Sequence, residues 1–518
     1  MRIVVCGGGI SGLTAAYYAS KALSRFTSKH FKIIVVERSS NVGGWMQTNI
    51  KNGDRKVYDG PINELGPRSV RVAGIAGNNT LQLMTALGLE DDIIPVKSSD
   101  VVAKNRLIYV NKTLHALPNS LSSMFQTQPP LTKSLVRSIV PGLVKKIPSS
   151  FESMHEVCSA RFGDEVANYL VDSFTRGVFA ADARHLSMKA AFPVMWKKLK
   201  PKSGTLPRRP DLSSAEIYNK MLMTYPLVKR AKQEKWTQWG MTKGFSYLTE
   251  SLAKHLNEKF NVEIMRNSEV EGIRLQENGK LSLKYSKIGT SNDLPGMNEI
   301  ENIDHLVSAL PSHSFAKVLR SANTVGSPTV DKKILSTLGV MLSHIRSVDV
   351  AVVNVEFEGR PSENLPKLAF GHLVPSVEPS KVLGIIYDSC AFPRHDRVGR
   401  PTTRLTCMLG GSWFRELFGD PQTVKTETLE QAALESIAEQ LKITKDPLQV
   451  TTTLCRKCIP MYKVGHTDQV EDIEDYIEAN GLPISLAGSS YWGVSINDCI
   501  YTSRIAINHL LIKYDLLR

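Results

Sequence analysis

"RIVVCGGGISGLTAAYYASKAL", residues 2–23, joins a short apolar strand ending at Cys6 to a helix through Gly7-x-Gly9-x-x-Gly12. Each glycine has its own physical task. Gly7 permits the tight turn, Gly9 lets the backbone come up to a pyrophosphate, and Gly12 lets helix and strand pack closely. A second apolar strand, "FKIIVVE" (31–37), closes on Glu37, 25 residues beyond Gly12 and placed to accept hydrogen bonds from an adenosine ribose. A glycine triplet alone is weak evidence. With a strand before it, a helix after it and an acid closing the second strand, it predicts a dinucleotide-binding α/β domain.

Two further stretches narrow the ligand. "ERSSNVGGWMQT" (37–48) adds Gly43-Gly44, a second close approach to the phosphates shortly after the acid. At the far end of the chain, "LAGSSYWGVSINDCIYTSRIA" (486–506) opens like a strand, turns through Gly488 and Gly493, and closes as a helix. That is again the layout of an anion or cofactor site at a helix start. On its own it is an ordinary turn. Paired with the front motif it reads as a returning segment that completes one cofactor site.

The chain has 518 residues, which predicts two or three domains, and its 42% hydrophobic and 22% charged content is that of a globular protein. A net charge of +14 suits an anionic ligand, an anionic membrane surface or nucleic acid without choosing among them. Nucleic acid gains nothing beyond charge, since no binding module or aromatic-interleaved basic groove is present. No run approaches the apolar length of a membrane span. The first predicted strand starts at Ile3, which leaves no room for a secretory leader. Seven scattered cysteines form no disulfide framework, and Cys455-x-x-Cys458 lacks the second pair that structural zinc requires.

From Val101 to Phe151 there is no Asp or Glu, where about five are expected at 50 acids in 518 residues, but there are seven Lys or Arg. Within it, "LTKSLVRSIVPGLVKKI" (131–147) sets Leu131, Leu135, Ile139 and Leu143 four residues apart on one helical face. Apolar spacing with basic residues and no acid fits a segment lying in an anionic membrane interface; a core helix beside a solvated basic loop fits as well. Downstream, "VDVAVVNVEF", "LAFGHLVP", "VLGIIYDS" and "RLTCMLGGSW" predict an antiparallel sheet, and "TETLEQAALESIAEQL" (426–441) an amphipathic helix with Leu429, Ala433, Ile437 and Leu441 on one face. "KKLKPKSGTLPRRP" (197–210) reads as a connector.

The double-glycine extension resembles the FAD signature of the amine oxidase superfamily, with Gly-Gly-Trp (43–45) in place of the usual Gly-Gly-Arg. Beyond it the chain resembles the oxygen-dependent, mitochondrial-type protoporphyrinogen oxidase family through "ELGPRSVR" (64–71), "NRLIYV" (105–110), "LHALP" (114–118), "SFTRGVFAADARHLS" (173–187), "FGHLVP" (370–375), "LGIIYDS" (383–389), "MLGGSW" (408–413) and "GVSINDCI" (493–500). These span nearly the whole chain in order. Departures are small: Trp492 where an acid can occur, and Arg38 where Ser can occur.

The resemblance implies an α/β fold with a Rossmann-like FAD domain (1–75, 216–312 and 456–518), an antiparallel-sheet substrate domain (76–100 and 313–455) and a helical membrane-binding domain (101–215). It implies oxidation of protoporphyrinogen IX by oxygen in three two-electron steps, with hydrogen peroxide as by-product, on the intermembrane-space side of the mitochondrial inner membrane, against anionic lipids. Docking of ferrochelatase and a homodimer stay open. For the cofactor it implies Gly7, Gly8, Gly9, Ile10, Ser11, Gly12, Glu37, Arg38, Gly44, Trp45, Gly66, Pro67, Arg68, Ser69, Val270, Trp413, Ser489, Val494, Ser495 and Ile496. Arg68 fits a structural anchor equally well. For the substrate it implies Arg106 on a propionate, Phe370 and Leu373 around pyrrole rings, Ile386 and Met408 as apolar wall, and Arg176 and Gly177 beside the reacting carbon, the Gly177 carbonyl a polarising group. The rivals are another amine oxidase or desaturase on the same scaffold, and a binding protein like the Rab GDP-dissociation inhibitors, which share the fold without flavin chemistry.

Overall fold

The computed structural model describes residues 1–26, 31–50, 59–142, 144–199, 212–289, 298–321 and 329–516. Its first strand, Arg2–Cys6, is the middle of a five-stranded, all-parallel sheet. The order is Ile484–Leu486, His305–Ser308, Arg2–Cys6, Lys32–Val36, Glu263–Met265. A parallel sheet is covered on both faces, so its central strands carry consecutive apolar residues, Ile3–Cys6 and Ile33–Val36, rather than alternating ones. Ile3, Val5, Ile33 and Val35 enter one core with the helices Ile10–Leu23, Phe245–Phe260 and Ile496–Lys513. Val4, Cys6, Ile34 and Val36 enter the opposite core with Ser312–Ser321 and His466–Ala479. The late strand–turn–helix is thus part of the front domain, and its helix lies along the first one.

The second large sheet has seven strands in the order Gln449–Pro460, Ser347–Glu358, Thr402–Gly411, Val382–Ile386, Gly371–Leu373, Leu107–Val110, Thr113–Ala116. The four runs expected to form an antiparallel sheet pair antiparallel with one another, but the sheet as a whole is wider than expected. Gly371–Leu373 pairs in parallel with Leu107–Val110, so the sheet is mixed. The added strands form a hairpin through Asn111 and Lys112, both at positive φ (52° and 57°), the turn geometry whose twist suits paired strands. The amphipathic helix Thr426–Leu441 forms as expected and buries Leu429, Ala433, Ile437 and Leu441 against one face of this sheet.

Helices gather between Leu121 and Gln233, and Met154–Phe162 opens on a Ser153 capping box completed by Glu156. The stretch 107–116 belongs to the seven-stranded sheet, so helical structure occupies the later part of 101–215. Among the described residues of the 131–147 pattern, only Leu135–Gly142 is helical. Leu131 is buried and Leu135 and Ile139 are half-buried, so the predicted stripe packs inward; Leu143 lies outside the described residues. Most of the 197–210 connector also lies outside them. Apolar side chains that face solvent in the first part of this region include Leu121, Phe125, Val140 and Val144, at 81%, 69%, 56% and 85% exposure; further on, Val194 and Ile217 are exposed to 70% and 71%. No helix among the described residues is long and apolar enough to cross a membrane.

Candidate active site and cofactor cradle

The first turn of the Ile10–Leu23 helix carries no acid and no side-chain cap, so its leading N–H groups stay available to an anion. A Cβ on Gly12 would stand 1.9 Å from the Gly7 carbonyl oxygen, which is why only glycine fits there. A Cβ on Gly9 would meet only the Gly44 Cα, 3.9 Å away, so Gly9 borders open space shared with the second glycine motif. The Gly43 N–H donates to the Gly8 carbonyl (2.8 Å) and locks the two motifs together. Glu37 accepts from the Gly8 N–H (2.6 Å) and the Ser39 N–H (2.7 Å), which fixes the carboxylate at the strand end. Ile10 and Ser11 are buried in the helix start; Arg38 reaches outward to Glu269 at 3.3 Å.

The late segment closes on the same place. The Ala487 N–H donates to Ser308 (2.9 Å), and a Cβ on Gly488 would come within 3.7 Å of the Ser11 Oγ. Ser495 caps the last helix in a box with Asp498, so its hydroxyl is spent on the backbone. Ile496 is buried and Val494 half-buried beside it. Two residues the sequence did not single out hold this turn. The Tyr462 hydroxyl donates to the Ser489 carbonyl (2.6 Å), accepts from the Gly493 N–H (2.7 Å), and its ring stacks on His466 at 4.0 Å. Val270 lies on Ser268–Leu275, tied to the cradle by the Ser268 N–H on the Glu37 carbonyl (2.8 Å).

The "ELGPRSVR" loop connects cradle and large sheet. Gly66 passes the Trp45 carbonyl so closely that a Cβ would lie 2.1 Å from it, Pro67 is exposed, and Ser69 faces Gln238. Arg68 is buried and paired with buried Asp388 at 3.2 Å, with Thr406 on the same guanidinium. Thr406 in turn donates to the Asp388 carboxylate (2.6 Å) or the Asn354 carbonyl (2.7 Å). The Arg68 guanidinium is thus engaged with the large sheet through Asp388 and Thr406.

Glu64 in this loop is buried, accepts the Phe245 N–H (2.9 Å) through one oxygen, and has no partner on the other. Burial pushes its carboxyl up to about 8, against the pull of that N–H, Arg68 and Arg404. The folded protein therefore holds this proton up to about pH 8, whereas an unfolded glutamate releases it near pH 4. Stability from this group is full below about pH 4 and is lost as pH rises toward 8. Glu64→Gln, which keeps the acceptor, should flatten the fall in melting temperature between pH 5 and 8. An unchanged slope would reject the buried neutral acid.

On the sheet, Leu373 pairs with Gly384, Gly384 with Met408, and Gly371 with Ile386. Strand parity therefore puts Leu373, Ile386 and Met408 on one face. All three are half-buried, as is Phe370, while the intervening His372, Ile385, Tyr387, Cys407 and Leu409 are buried under Thr426–Leu441. His372 bonds to Tyr387 (2.9 Å) and Gln440 (2.7 Å) on that far side, where burial lowers it to about 4 and keeps it neutral.

The half-open face is met by the helix Asp172–Phe179. Gly177 lies against Leu373 so tightly that a Cβ would be 2.2 Å from its Cδ2. Arg176 is buried, donates to the carbonyls of Val374 (3.1 Å), Pro375 (3.0 Å) and Ser380 (2.9 Å), and stacks on Trp413 at 4.9 Å. Burial lowers it to about 10, so it stays charged. Arg106 is exposed, and its charge, after burial, lowers Arg71. Among the described residues neither arginine is in an ion pair. Arg71 stood inside the quoted loop motif and was passed over.

A phosphate cradle in two halves, joined to an apolar sheet face by the 64–71 loop, defines a flavin-dependent oxidoreductase of the amine oxidase type. Accordingly, the flavin-containing amine oxidoreductase family matches residues 10–510. Bovine and human protoporphyrinogen oxidases are each 36% identical to this chain, covering 98% and 97% of both partners, and the fission yeast enzyme is 29% identical over 96% of both. The chain belongs to the protoporphyrinogen oxidase family. In fold it is similar to a candidate protoporphyrinogen oxidase from Exiguobacterium sp. 255-15 (TM-score 0.72, 21% identity, 99% of each chain) and to UDP-galactopyranose mutase (TM-score 0.65, 15% identity, 99% of this chain and 94% of that one). The open space at Gly9 and the uncapped, acid-free helix start fit the diphosphate of FAD.

Proposed function

We propose that this chain oxidises protoporphyrinogen IX to protoporphyrin IX. Kinship with the protoporphyrinogen oxidases along 97–98% of both chains carries the reading. FAD held by the Gly7, Gly9, Gly12 and Gly44 cradle would supply two-electron redox chemistry with oxygen as acceptor and hydrogen peroxide as by-product. The protein contributes by positioning. Leu373, Ile386 and Met408 offer an apolar face to the flexible tetrapyrrole, with Phe370 at its edge and the Gly177 backbone against it. Arg176 holds the 374–380 loop, and so the strand bearing Leu373, against the helix of Gly177. Arg106 and Arg71, free of acids, suit the propionates. Aerobic release of fluorescent porphyrin from anaerobically added porphyrinogen, with peroxide formed in step, tests the reading. A yellow enzyme that oxidises amines and not porphyrinogen would overturn it, and a folded protein that cannot take up FAD would favour a Rab-GDI-like binding role.

Arg106→Ala should lower kcat/KM by about 10- to 150-fold, since a charge-assisted bond to a carboxylate contributes about 1.5–3 kcal/mol. Flavin content should not change. Arg106→Lys should recover only part, because an ammonium lacks the planar fork. Equal losses on a porphyrinogen with esterified propionates would show that Arg106 does not bind the carboxylate.

The helical part of the chain is proposed to rest on anionic lipid at the intermembrane-space side of the mitochondrial inner membrane. The acid-free window and the exposed Leu121, Phe125, Val140 and Val144 support this. Lys133, Arg137, Lys145 and Lys146 are all exposed. Each basic residue near such a surface contributes roughly 1 kcal/mol. Changing all four to Gln should weaken binding to anionic vesicles by at least about 100-fold and leave turnover in detergent near normal. Unchanged vesicle binding would rule the segment out as the contact.

A further inference from the structure

Cys455 and Cys458 stand on one strand, three residues apart. In a regular strand that spacing spans roughly 10 Å and points side chains to opposite faces, beyond reach of a disulfide. This strand is not regular there. Val350 pairs with Cys455 and Val348 with Ile459, so two steps on one strand face four on the other. Lys457 takes up the excess at φ 49°, and its N–H is held by Asp349 at 2.8 Å. Arg456 and Lys457 bulge into solvent. The two cysteines fold back into one apolar cluster with Val348, Val350, Met408 and Trp413.

Within that cluster each thiol acts on the other electrostatically. The Cys455 Sγ also faces the Leu65 carbonyl at 3.7 Å, in the loop whose Gly66 abuts Trp45. The Cys458 Sγ faces the Val348 carbonyl at 3.6 Å. The pair is electrostatically unequal. The neighbouring Cys458 thiol, and then the charge of Arg68, draw Cys455 below the usual thiol value against the effect of burial. The Cys455 thiol, burial and Asp349 push Cys458 up. Cys6, Cys158, Cys390, Cys407 and Cys499 are all raised, first by burial. A thiol leaning toward thiolate beside a protonated partner is the arrangement of an attacking and a resolving cysteine.

We infer that Cys455 and Cys458 form a reversible, peroxide-sensitive dithiol on the wall of the active site, oxidised by the enzyme's own product. The supply of peroxide rests on the proposed oxidase activity; the dithiol itself does not. The Cys455 thiolate attacks one peroxide oxygen: an S–O bond forms, the O–O bond breaks, and the departing hydroxide leaves as water with the Cys455 proton. The Cys458 thiol then attacks the Cys455 sulfur: the S–S bond forms, the S–O bond breaks, and a second water leaves with the Cys458 proton. Two thiols and one hydrogen peroxide give one disulfide and two waters. A low-molecular-weight dithiol restores the reduced pair.

Trypsin cuts after Arg456 and Lys457, between the two cysteines, so a bridge would appear as two linked peptides. Reduced holoenzyme is exposed to added hydrogen peroxide, alkylated and digested. The expected result is a peptide ending at Arg456 joined to one beginning at Cys458, with alkylation at both falling about tenfold and returning with dithiothreitol. In Cys458→Ser, Cys455 should stop at the sulfenic acid and be captured by dimedone; in Cys455→Ser, Cys458 should stay alkylatable. Full alkylation of both thiols in peroxide-treated wild type, or oxidation of Cys458 without Cys455, overturns the dithiol. A second arm supplies protoporphyrinogen and oxygen, with and without catalase. Linked peptide only without catalase supports oxidation by product. Porphyrin fluorescence without linkage overturns that coupling, and no fluorescence at all, with linkage in the first arm, faults the oxidase reading and leaves the dithiol standing.

Discussion

Gly9→Val is expected to give a folded, colourless protein. Its effect separates from that of the neighbouring glycines on geometric grounds. Gly7 has φ 100°, where an L side chain is strained, and a Cβ on Gly12 would collide with the Gly7 carbonyl at 1.9 Å. Substituting either breaks the turn. Gly9 has φ −68° and ψ 174°, which any residue adopts, and its Cβ would meet only the Gly44 Cα at 3.9 Å. Valine there costs the N-cap about 1 kcal/mol, a small part of a domain's stability. It fills the space through which the backbone reaches a diphosphate, so FAD retention and turnover should fall below detection while the circular dichroism spectrum is kept. Wild-type flavin content in this variant would mean that the diphosphate lies elsewhere.

What the sequence made legible was what is local. The spacing Gly7, Gly9, Gly12 and the apolar runs before and after it fix a strand, a turn and a helix by short-range sterics. Leu429, Ala433, Ile437 and Leu441 did the same for one helix. Pairing between distant segments was less legible. Leu107–Val110 lies beside Gly371–Leu373 because both have a buried face to share, and nothing near residue 107 announces that partner. The stripe Leu131, Leu135, Ile139 had the period of an interfacial helix, yet period cannot say which neighbour covers it. Met154–Phe162 does, and a Cβ on Gly142 would meet the Arg161 carbonyl at 2.1 Å.

The site divides in the same way. Leu373, Ile386 and Met408 fall on one face because of register, which the family resemblance carried and composition did not. Arg176 was expected beside the reacting carbon. Its guanidinium is taken up by three backbone carbonyls, acceptors that no sequence pattern displays. Tyr462 and His466 clasp the late glycine turn without belonging to any motif. The bulge that brings both cysteines of Cys455-x-x-Cys458 into one apolar cluster is held by Asp349, far away in sequence.

Arg68→Ala should be the most damaging single change to stability outside the glycine turns. Arg68 and Asp388 form an ion pair with side chains only 5% and 7% exposed. Removing one member of such a pair leaves the other charge buried without its counter-ion, which costs about 3–5 kcal/mol, a large share of a domain's 5–15 kcal/mol. The injury should spread. Thr406 bonds to Arg68, Asp388 and Asn354, and Asn354 donates to the Glu64 carbonyl at 3.1 Å, so one guanidinium fastens the flavin-side loop to the large sheet. Urea unfolding should show the unfolding free energy lowered by that amount, with the midpoint moved down accordingly, and FAD should be held weakly even where the protein is folded. Arg68→Met with Asp388→Leu removes both charges and should recover much of the loss, since a buried pair replaced by apolar groups is often neutral. If the single variant loses flavin with an unchanged urea midpoint, Arg68 serves the cofactor directly and the anchoring role assigned to it is wrong.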